Sequence, residues 1–294
     1  MVCFDFEGYL GMPFRATYDI SEIAQRILEV LKRYEIEAVF FVAGRLIEEY
    51  PDLIKKISEQ GHEIGIHGYV HQHLDKLTKT ELTTFSGNLF RIEKFLEKLI
   101  GRKPKGFRAP YLMDPVYYTP ELYRILEAHK YEWVSNRKIL TPEELFRPNH
   151  CYFSALWRRN KVISNILLIF LNMRMILTDS VTKKKGLSRI VANVKWLYKG
   201  MSPFNRDNII EFPIFSPLDC DLLGLPKPEE NTPDNMIQYA IEVLTEGAKK
   251  RGDFYSITFH DWIIGTANRT QILEKILENF SKNDNIVFIS SPKT

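Results

Sequence analysis

The stretch "SEIAQRILEVLKRYEIEAVFFV", residues 21–42, contains two hydrophobic periods in succession. In its first part Ile23, Ile27, Leu28 and Leu31 recur at helical spacing and share one face, the stripe of a helix laid on a sheet. Its last part, "AVFFV" (38–42), is a short apolar run rich in Val and Phe, which reads as a buried strand. A helix that hands over to such a strand is one turn of an α/β repeat with parallel strands.

The same alternation continues outward in both directions. Strand-like runs stand at "VCFDF" (2–6), "HEIGIH" (62–67), "GFRAPY" (106–111), "YEWVSN" (131–136), "NIIEFPIF" (208–215), "FYSITFH" (254–260) and "NIVFIS" (285–290). Helix starts fall between them. "TKTE" (78–81) is a capping box, and Thr119, Thr141 and Thr232 each precede a proline, which suits the first helical position. Seven or eight such units in one chain predict a parallel barrel rather than an open sheet. With 294 residues, 45% hydrophobic and 26% charged, the chain reads as one globular domain spanning 1–294.

One segment breaks the rhythm. Residues 140–206, between the fifth and sixth strand runs, are far longer than a usual connection and predict an inserted helical segment. Between Trp157 and Arg206 there are eleven basic residues and one acid, so this segment carries +10 while the rest of the chain carries −7. Within it "VISNILLIFLNMRMIL" (162–177) is apolar but short of the ~20 residues that cross a bilayer. Followed by Lys183, Lys184 and Lys185, it has the pattern of an interfacial helix with basic flanks, suited to an anionic membrane surface or a lipid phosphate. The segment contains aromatics but no nucleic-acid fold, so nucleic acid is not an expected partner.

Three cysteines, Cys3, Cys151 and Cys220, are too few and too scattered for a disulfide framework. The opening "MVCFDFEGYLG" shows no basic region followed by a long apolar run. Both observations predict a cytoplasmic protein, in peripheral contact with the membrane through the insertion.

In a parallel barrel the C-terminal ends of the strands converge on one mouth. The polar residues expected there are Asp5 and Glu7, His67 and His71, Arg108, Asn136 and His260. Two histidines and a carboxylate, with a position left for water, are the donor set of a hydrolytic zinc centre. A spacing of four brings His67 and His71 to one side if a helical turn follows the strand. An isolated HxxxH is weak; acids and a further histidine at the same mouth strengthen it.

"FDFEG" (4–8), "HGYVH" (67–71), "FRAPY" (107–111) and "ITFH" (257–260), in this order, resemble the motifs of the polysaccharide deacetylase family, the NodB-homology or carbohydrate esterase family 4 group. The resemblance implies a distorted (β/α)7 barrel and a divalent metal, usually Zn²⁺, that hydrolyses an N-acetyl or similar acyl group on an amino sugar. By position it implies Asp5 as catalytic base, Glu7, His67 and His71 as metal ligands, and Arg108 as partner of the base. It implies a role for the backbone N–H of Tyr111 at the oxyanion and for His260 as general acid. His73 falls outside the motif and reads as an outer or surface residue.

Two departures from the family pattern matter. Phe6 separates Asp5 from Glu7 where members commonly have adjacent aspartates; the strand period of two keeps both on one face, but their roles are interchangeable on sequence alone. Asn136 stands where many members carry an aspartate beside the acidic histidine, which leaves Glu211 as a candidate partner of His260. Asn136, Glu211 and Trp262 are expected near the substrate, Trp262 being as readable as core. Asp219 and Asp221 read either as bordering the cleft or as solvated turn residues, and "YLGMPF" (9–14) as a loop after the first strand.

The expected function is metal-dependent removal of an acetyl or formyl group from an amino sugar, within a polysaccharide or a glycolipid. Two alternatives are hydrolysis of a non-sugar amide or cyclic imide by the same site, and a catalytically silent relative that binds glycan or membrane.

Overall fold

The structure, a computed structural model, describes residues 1–11, 19–74, 77–111, 120–136, 138–139, 203–206, 208–215, 218–224, 232–250 and 254–290. Thr119, Thr141, most of the insertion and its lysines Lys183 to Lys185 lie outside the described residues, as do residues 12–14.

Seven parallel strands form the barrel wall among the described residues, in the order β10 (Ile257–His260), β1 (Val2–Phe6), β2 (Val39–Val42), β3 (Glu63–Ile66), β4 (Gly106–Phe107), β5 (Trp133–Val134) and β8 (Ile209–Glu211). A short strand β7 (Phe204–Arg206) adds antiparallel to the outer edge of β8. Helices fill the crossovers: α1 (Ile20–Arg33), α2 (Gly44–Glu49), α3 (Pro51–Glu59), α4 (Lys79–Ile100) and α5 (Pro120–Ala128). Toward the end of the chain come α6 (Asp219–Leu223), α7 (Asp234–Lys250), α8 (Asp261–Ile264) and α9 (Thr270–Ser281). No described helix is long and apolar enough to cross a membrane.

Period-two alternation divides the strands between two cores. Phe4, Phe6, Phe40 and Val42 face the helix layer, where they join the buried stripe of α1, including Ile23, Ile27, Leu28 and Leu31. Cys3, Val39 and Phe41 face inward and pack with Trp133 and Phe212 in the barrel interior. Trp133 fits there because Gly106 carries no side chain; a Cβ on Gly106 would lie on the indole ring. The capping box at Thr78 and Glu81 starts α4, with both reciprocal hydrogen bonds present.

Two strand expectations are corrected. "NIIEFPIF" is not continuous: it breaks at Pro213, which lacks a ladder donor. Its second half, β9 (Ile214–Phe215), pairs with β6 (Lys138–Ile139) in a separate two-stranded sheet. The Ser256 hydroxyl donates to the Pro213 carbonyl (2.6 Å), tying the break to β10 by a side chain where no ladder runs. The run 285–290 forms no strand; Ile286 and Phe288 pack on the core while Val287 points out, so alternation here reflects one-sided burial without a pairing partner.

Candidate active site

Register brings the functional ends together. Asp5 on β1 stands opposite His260 on β10 and Phe41 on β2, and the chain leaves β1 through Glu7 and β3 through His67. Asp5 and Glu7 are both buried, on the inward side of a strand whose Phe6 points the other way.

Asp5 accepts from Arg108 Nη1 at 2.6 Å, and both side chains are buried. The guanidinium is held on several sides: Nη1 also donates to Thr258 Oγ1 (3.1 Å), Nε to the Ser135 carbonyl (3.1 Å) and Nη2 to Ser135 Oγ (2.9 Å). Its plane lies over the Phe41 ring, 4.1 Å from the centroid. A planar fork with fixed donors suits such a dry site, and it neutralises the buried Asp5 carboxylate without exposing it.

Glu7, not Asp5, is the carboxylate that meets the imidazoles. Glu7 Oε2 lies 3.3 Å from His67 Nε2 and 2.7 Å from His71 Nε2. His67 Nδ1 lies 3.0 Å from the Arg108 carbonyl, which only accepts, so Nδ1 carries a proton and Nε2 is the ring nitrogen turned toward Glu7. Glu7 Oε2 and His71 Nδ1 are buried without a hydrogen-bond partner among the described residues. Electron-pair donors from Glu7, His67 and His71 thus face one another within 4.8 Å, an arrangement that repels itself unless a proton or a cation sits among them. Burial pushes the Glu7 carboxyl up, but the His67 and His71 imidazoles beside it outweigh that and hold Glu7 well below the usual carboxylate range.

No helical turn joins the two histidines. His71 arrives along an irregular loop that turns at Gly68, whose φ is +68°. A Cβ there would stand 3.1 Å from Pro110. Gly68→Ala is therefore expected to destabilise the protein by about 1–2 kcal/mol, the cost of a left-handed L-residue. A urea midpoint that does not move would contradict this.

Trp262 and Asp261, at the start of α8, brace Glu7 from the β10 side. Trp262 Nε1 donates to Glu7 Oε1 (2.9 Å), which leaves Oε2 as the oxygen facing the histidines. The Asp261 carboxylate accepts from the backbone N–H of Glu7 (3.0 Å) and of Gly8 (3.1 Å). Burial pushes Asp261 up to about 7, against the downward pull of the Glu7 N–H. Trp262 is 4% exposed, so its indole is a buried donor and not an open platform. Trp262→Phe keeps most of the packing and removes the donor. It is expected to weaken divalent-metal affinity by roughly 10–100-fold, as loss of an outer partner does. Chelator competition measures this, and an unchanged dissociation constant would contradict it.

His260 finds a different partner from the one expected. Its Nδ1 lies 2.6 Å from Asp219 Oδ1 and its backbone N–H donates to Asp219 Oδ2 (2.7 Å). Asp219 is fully buried at the first turn of α6, neither solvated nor merely beside the cleft. Burial pulls His260 down, but the Asp219 charge and hydrogen bond outweigh it and raise His260 to about 10. Glu211 instead accepts from the Asn136 N–H (2.7 Å) and the Tyr123 hydroxyl (2.7 Å), buried in the wall. Asn136 Oδ1 accepts from the Ala109 N–H (2.7 Å), so Asn136 ties β5 to the loop that carries Tyr111. The signal for Asp219 was present in "SPLDC", just past the sixth strand run, but a turn reading competed with it on equal terms.

Tyr111 is the exposed element of the mouth. Its φ of +61° is unusual for a residue with a side chain, a strain that clusters at functional sites. The residue is 55% exposed; its ring stacks on His73 with centroids 3.9 Å apart and lies 4.2 Å from the His71 ring.

The barrel and its mouth define a class: a parallel α/β fold that gathers a carboxylate and two imidazoles at the strand ends, flanked by an Asp–Arg pair and an Asp–His pair. Residues 7–134 match the family model described as polysaccharide deacetylase. Over this stretch the chain is similar to the polysaccharide deacetylase family. That match stops before Asn136 and leaves Asp5, Asp219 and His260 outside it. Over 90 residues the chain is 36% identical to a peptidoglycan-N-acetylglucosamine deacetylase of Bacillus cereus, covering 31% of this chain and 32% of that protein. The chain thus spans about a third of the length of the curated relatives it matches. In structure it resembles a polysaccharide deacetylase from Mycobacterium smegmatis, with a TM-score of 0.60 at 17% identity over 97% of this chain and 84% of the other. It also resembles the Puue allantoinase, with a TM-score of 0.57 at 14% identity over 98% of this chain and 79% of the other. At these identities the structural likenesses speak for the fold alone.

Proposed function

We propose that the chain is a metal-dependent carbohydrate N-deacetylase that hydrolyses the N-acyl amide of an amino sugar at the barrel mouth. The observation that carries this reading is the convergence of Glu7 Oε2 with the two histidine Nε2 atoms beside both an Asp–Arg and an Asp–His pair. Glu7, His67 and His71 would hold a divalent cation, with zinc favoured by two imidazoles and one carboxylate. Such a cation, when bound, supplies Lewis acidity and lowers the pKa of water.

The chain's own residues do the rest. Asp5 accepts the proton of the attacking water, its carboxylate oriented by Arg108. The Tyr111 backbone N–H donates to the oxygen of the tetrahedral intermediate. His260, kept protonated by Asp219, delivers a proton to the departing amine, which is a poor leaving group otherwise. Asp5 and His260 sit on adjacent strands in register, so acceptor and donor flank one substrate position. Trp262, Asn136 and Glu211 act from within the wall as supports for these groups, not as substrate contacts.

The basic insertion carries the finer part of the reading: a lipid-linked sugar, with the phosphate met by Lys183, Lys184 and Lys185 and the apolar run resting on the membrane surface. The main reading is tested by elemental analysis together with a screen for acetate or formate released from N-acylated oligosaccharides, a glycolipid and a cyclic imide. One equivalent of metal, lost in His67→Ala and His71→Ala together with acyl release, is expected. A metal-free protein that still binds glycan would overturn it, and turnover of the imide alone would replace its substrate. Equal turnover of glycolipid and free oligosaccharide, unaffected by neutralising the three lysines, would remove the lipid part.

A further inference from the structure

A second group of metal-ligating side chains lies beside the first. Ligand atoms of Asp219, Cys220 and His260 all fall within 4.8 Å of one another, the same closeness that marks Glu7, His67 and His71. Cys220 is half-buried next to Asp219, whereas Cys3 is sealed in the barrel interior. The cluster is held in place before any ligand arrives. The His260 backbone N–H and the Cys220 backbone N–H both donate to the Asp219 carboxylate, at 2.7 Å each. Arg269 in turn donates to the carbonyls of Leu223 (2.9 Å) and Gly224 (2.8 Å), fixing the far end of α6.

The donor sets of the two groups differ in kind. Two imidazoles and a carboxylate form a borderline site; an imidazole, a thiolate and a carboxylate form a softer one, and soft thiolate ligands favour zinc, cadmium and copper(I) over harder ions. We propose that Asp219, Cys220 and His260 form a second metal site, taking a thiophilic divalent cation such as Zn²⁺ or Cd²⁺, and that filling it disarms His260. On binding, the Cys220 thiol and His260 Nδ1 each lose a proton to solvent. The cation replaces both protons, and Asp219 Oδ1 and His260 Nδ1 part from 2.6 Å to admit it. An imidazole bound through Nδ1 retains only its Nε2 hydrogen, and a neutral imidazole N–H is a far weaker acid than an imidazolium. The same side chain cannot be a metal ligand there and a proton donor to an amine. Binding stands independently of the proposed activity; the disarming rests on His260 acting as the acid.

The test is a Cd²⁺ titration of the full chain, read by thiolate-to-cadmium charge-transfer absorbance and by equilibrium dialysis. Wild type is expected to take up two equivalents, with the thiolate absorbance tracking one of them. Cys220→Ala, checked for an unchanged thermal transition, should bind one equivalent and lose the absorbance. Cys220→Ser serves as the second variant if alanine disturbs folding. The double variant His67→Ala, His71→Ala should retain the absorbance, which separates this site from the first. Wild-type protein without the absorbance, or an undiminished signal in both Cys220 variants, would overturn the proposal. If the second equivalent binds and turnover does not fall, the site stands and the disarming is refuted.

Discussion

Asp5→Asn is expected to lower kcat by about 10²–10⁴-fold, the range lost with a positioned general base. An amide has no lone pair basic enough to take the water proton, yet it matches the carboxylate in size and can still accept from Arg108. Metal content should be unchanged, because Glu7 and not Asp5 lies against His67 and His71. Stability should fall as well: the Asp5–Arg108 pair is buried at 2.6 Å, and removing one charge leaves the other uncompensated, a loss of roughly 3–5 kcal/mol when a partner is deleted outright. Kinetics are therefore to be measured well below the urea midpoint of the variant. Glu7→Gln provides the contrast, with metal lost first. If Asp5→Asn loses its metal while Glu7→Gln retains it, the assignment of the two carboxylates is reversed.

Asp219→Asn is expected to move the alkaline limb of the kcat/KM profile to lower pH. Asp219 raises His260 to about 10, above its ordinary 6.5, against the downward push of burial. Without that charge the burial cost dominates, and the imidazole is neutral over the range where the wild type still donates. The loss is greatest on the alkaline side and shrinks as pH falls, whereas a purely structural defect would lower the whole curve. A bound cation partly offsets the upward push, because Glu7 and Asp5 also raise His260 and a cation neutralises Glu7. The alkaline limb of the metal-loaded enzyme should accordingly lie below 10.

The same pair contributes to stability with a definite sign. His260 has a folded-state pKa above its unfolded value, so its stabilisation is fully present below about 6.5 and is lost as pH rises toward about 10. In Asp219→Asn this alkaline loss should vanish. A denaturation series across that window distinguishes the two proteins, and parallel curves would refute the coupling.

Local chemistry made much of the molecule readable in advance. The apolar stripe of α1, the capping box of α4 and the alternation in "VCFDF" report forces that act within a few residues, so helix, strand and facing direction follow directly. The HxxxH spacing singled out His67 and His71, which the structure places together against Glu7, but Gly68 turns the chain where a helical turn was expected. The run 285–290 has strand-like alternation, yet its apolar residues find burial without a neighbouring backbone to pair with.

By itself, the sequence determined an α/β chain with parallel strands, an inward face carrying Asp5 and Glu7, and a mouth supplied with His67, His71, Arg108 and His260. These follow from side-chain period and strand polarity, which are properties of each segment alone. Only the tertiary structure decided that Glu7 joins the histidines while Asp5 pairs with Arg108, that Asp219 and not Glu211 holds His260, and that Trp262 braces Glu7. Each of those choices depends on strand register and on which buried donor reaches a given oxygen across scores or hundreds of residues. A displacement of about one strand position, ~3.3 Å, would exchange the partners, and no local pattern encodes it.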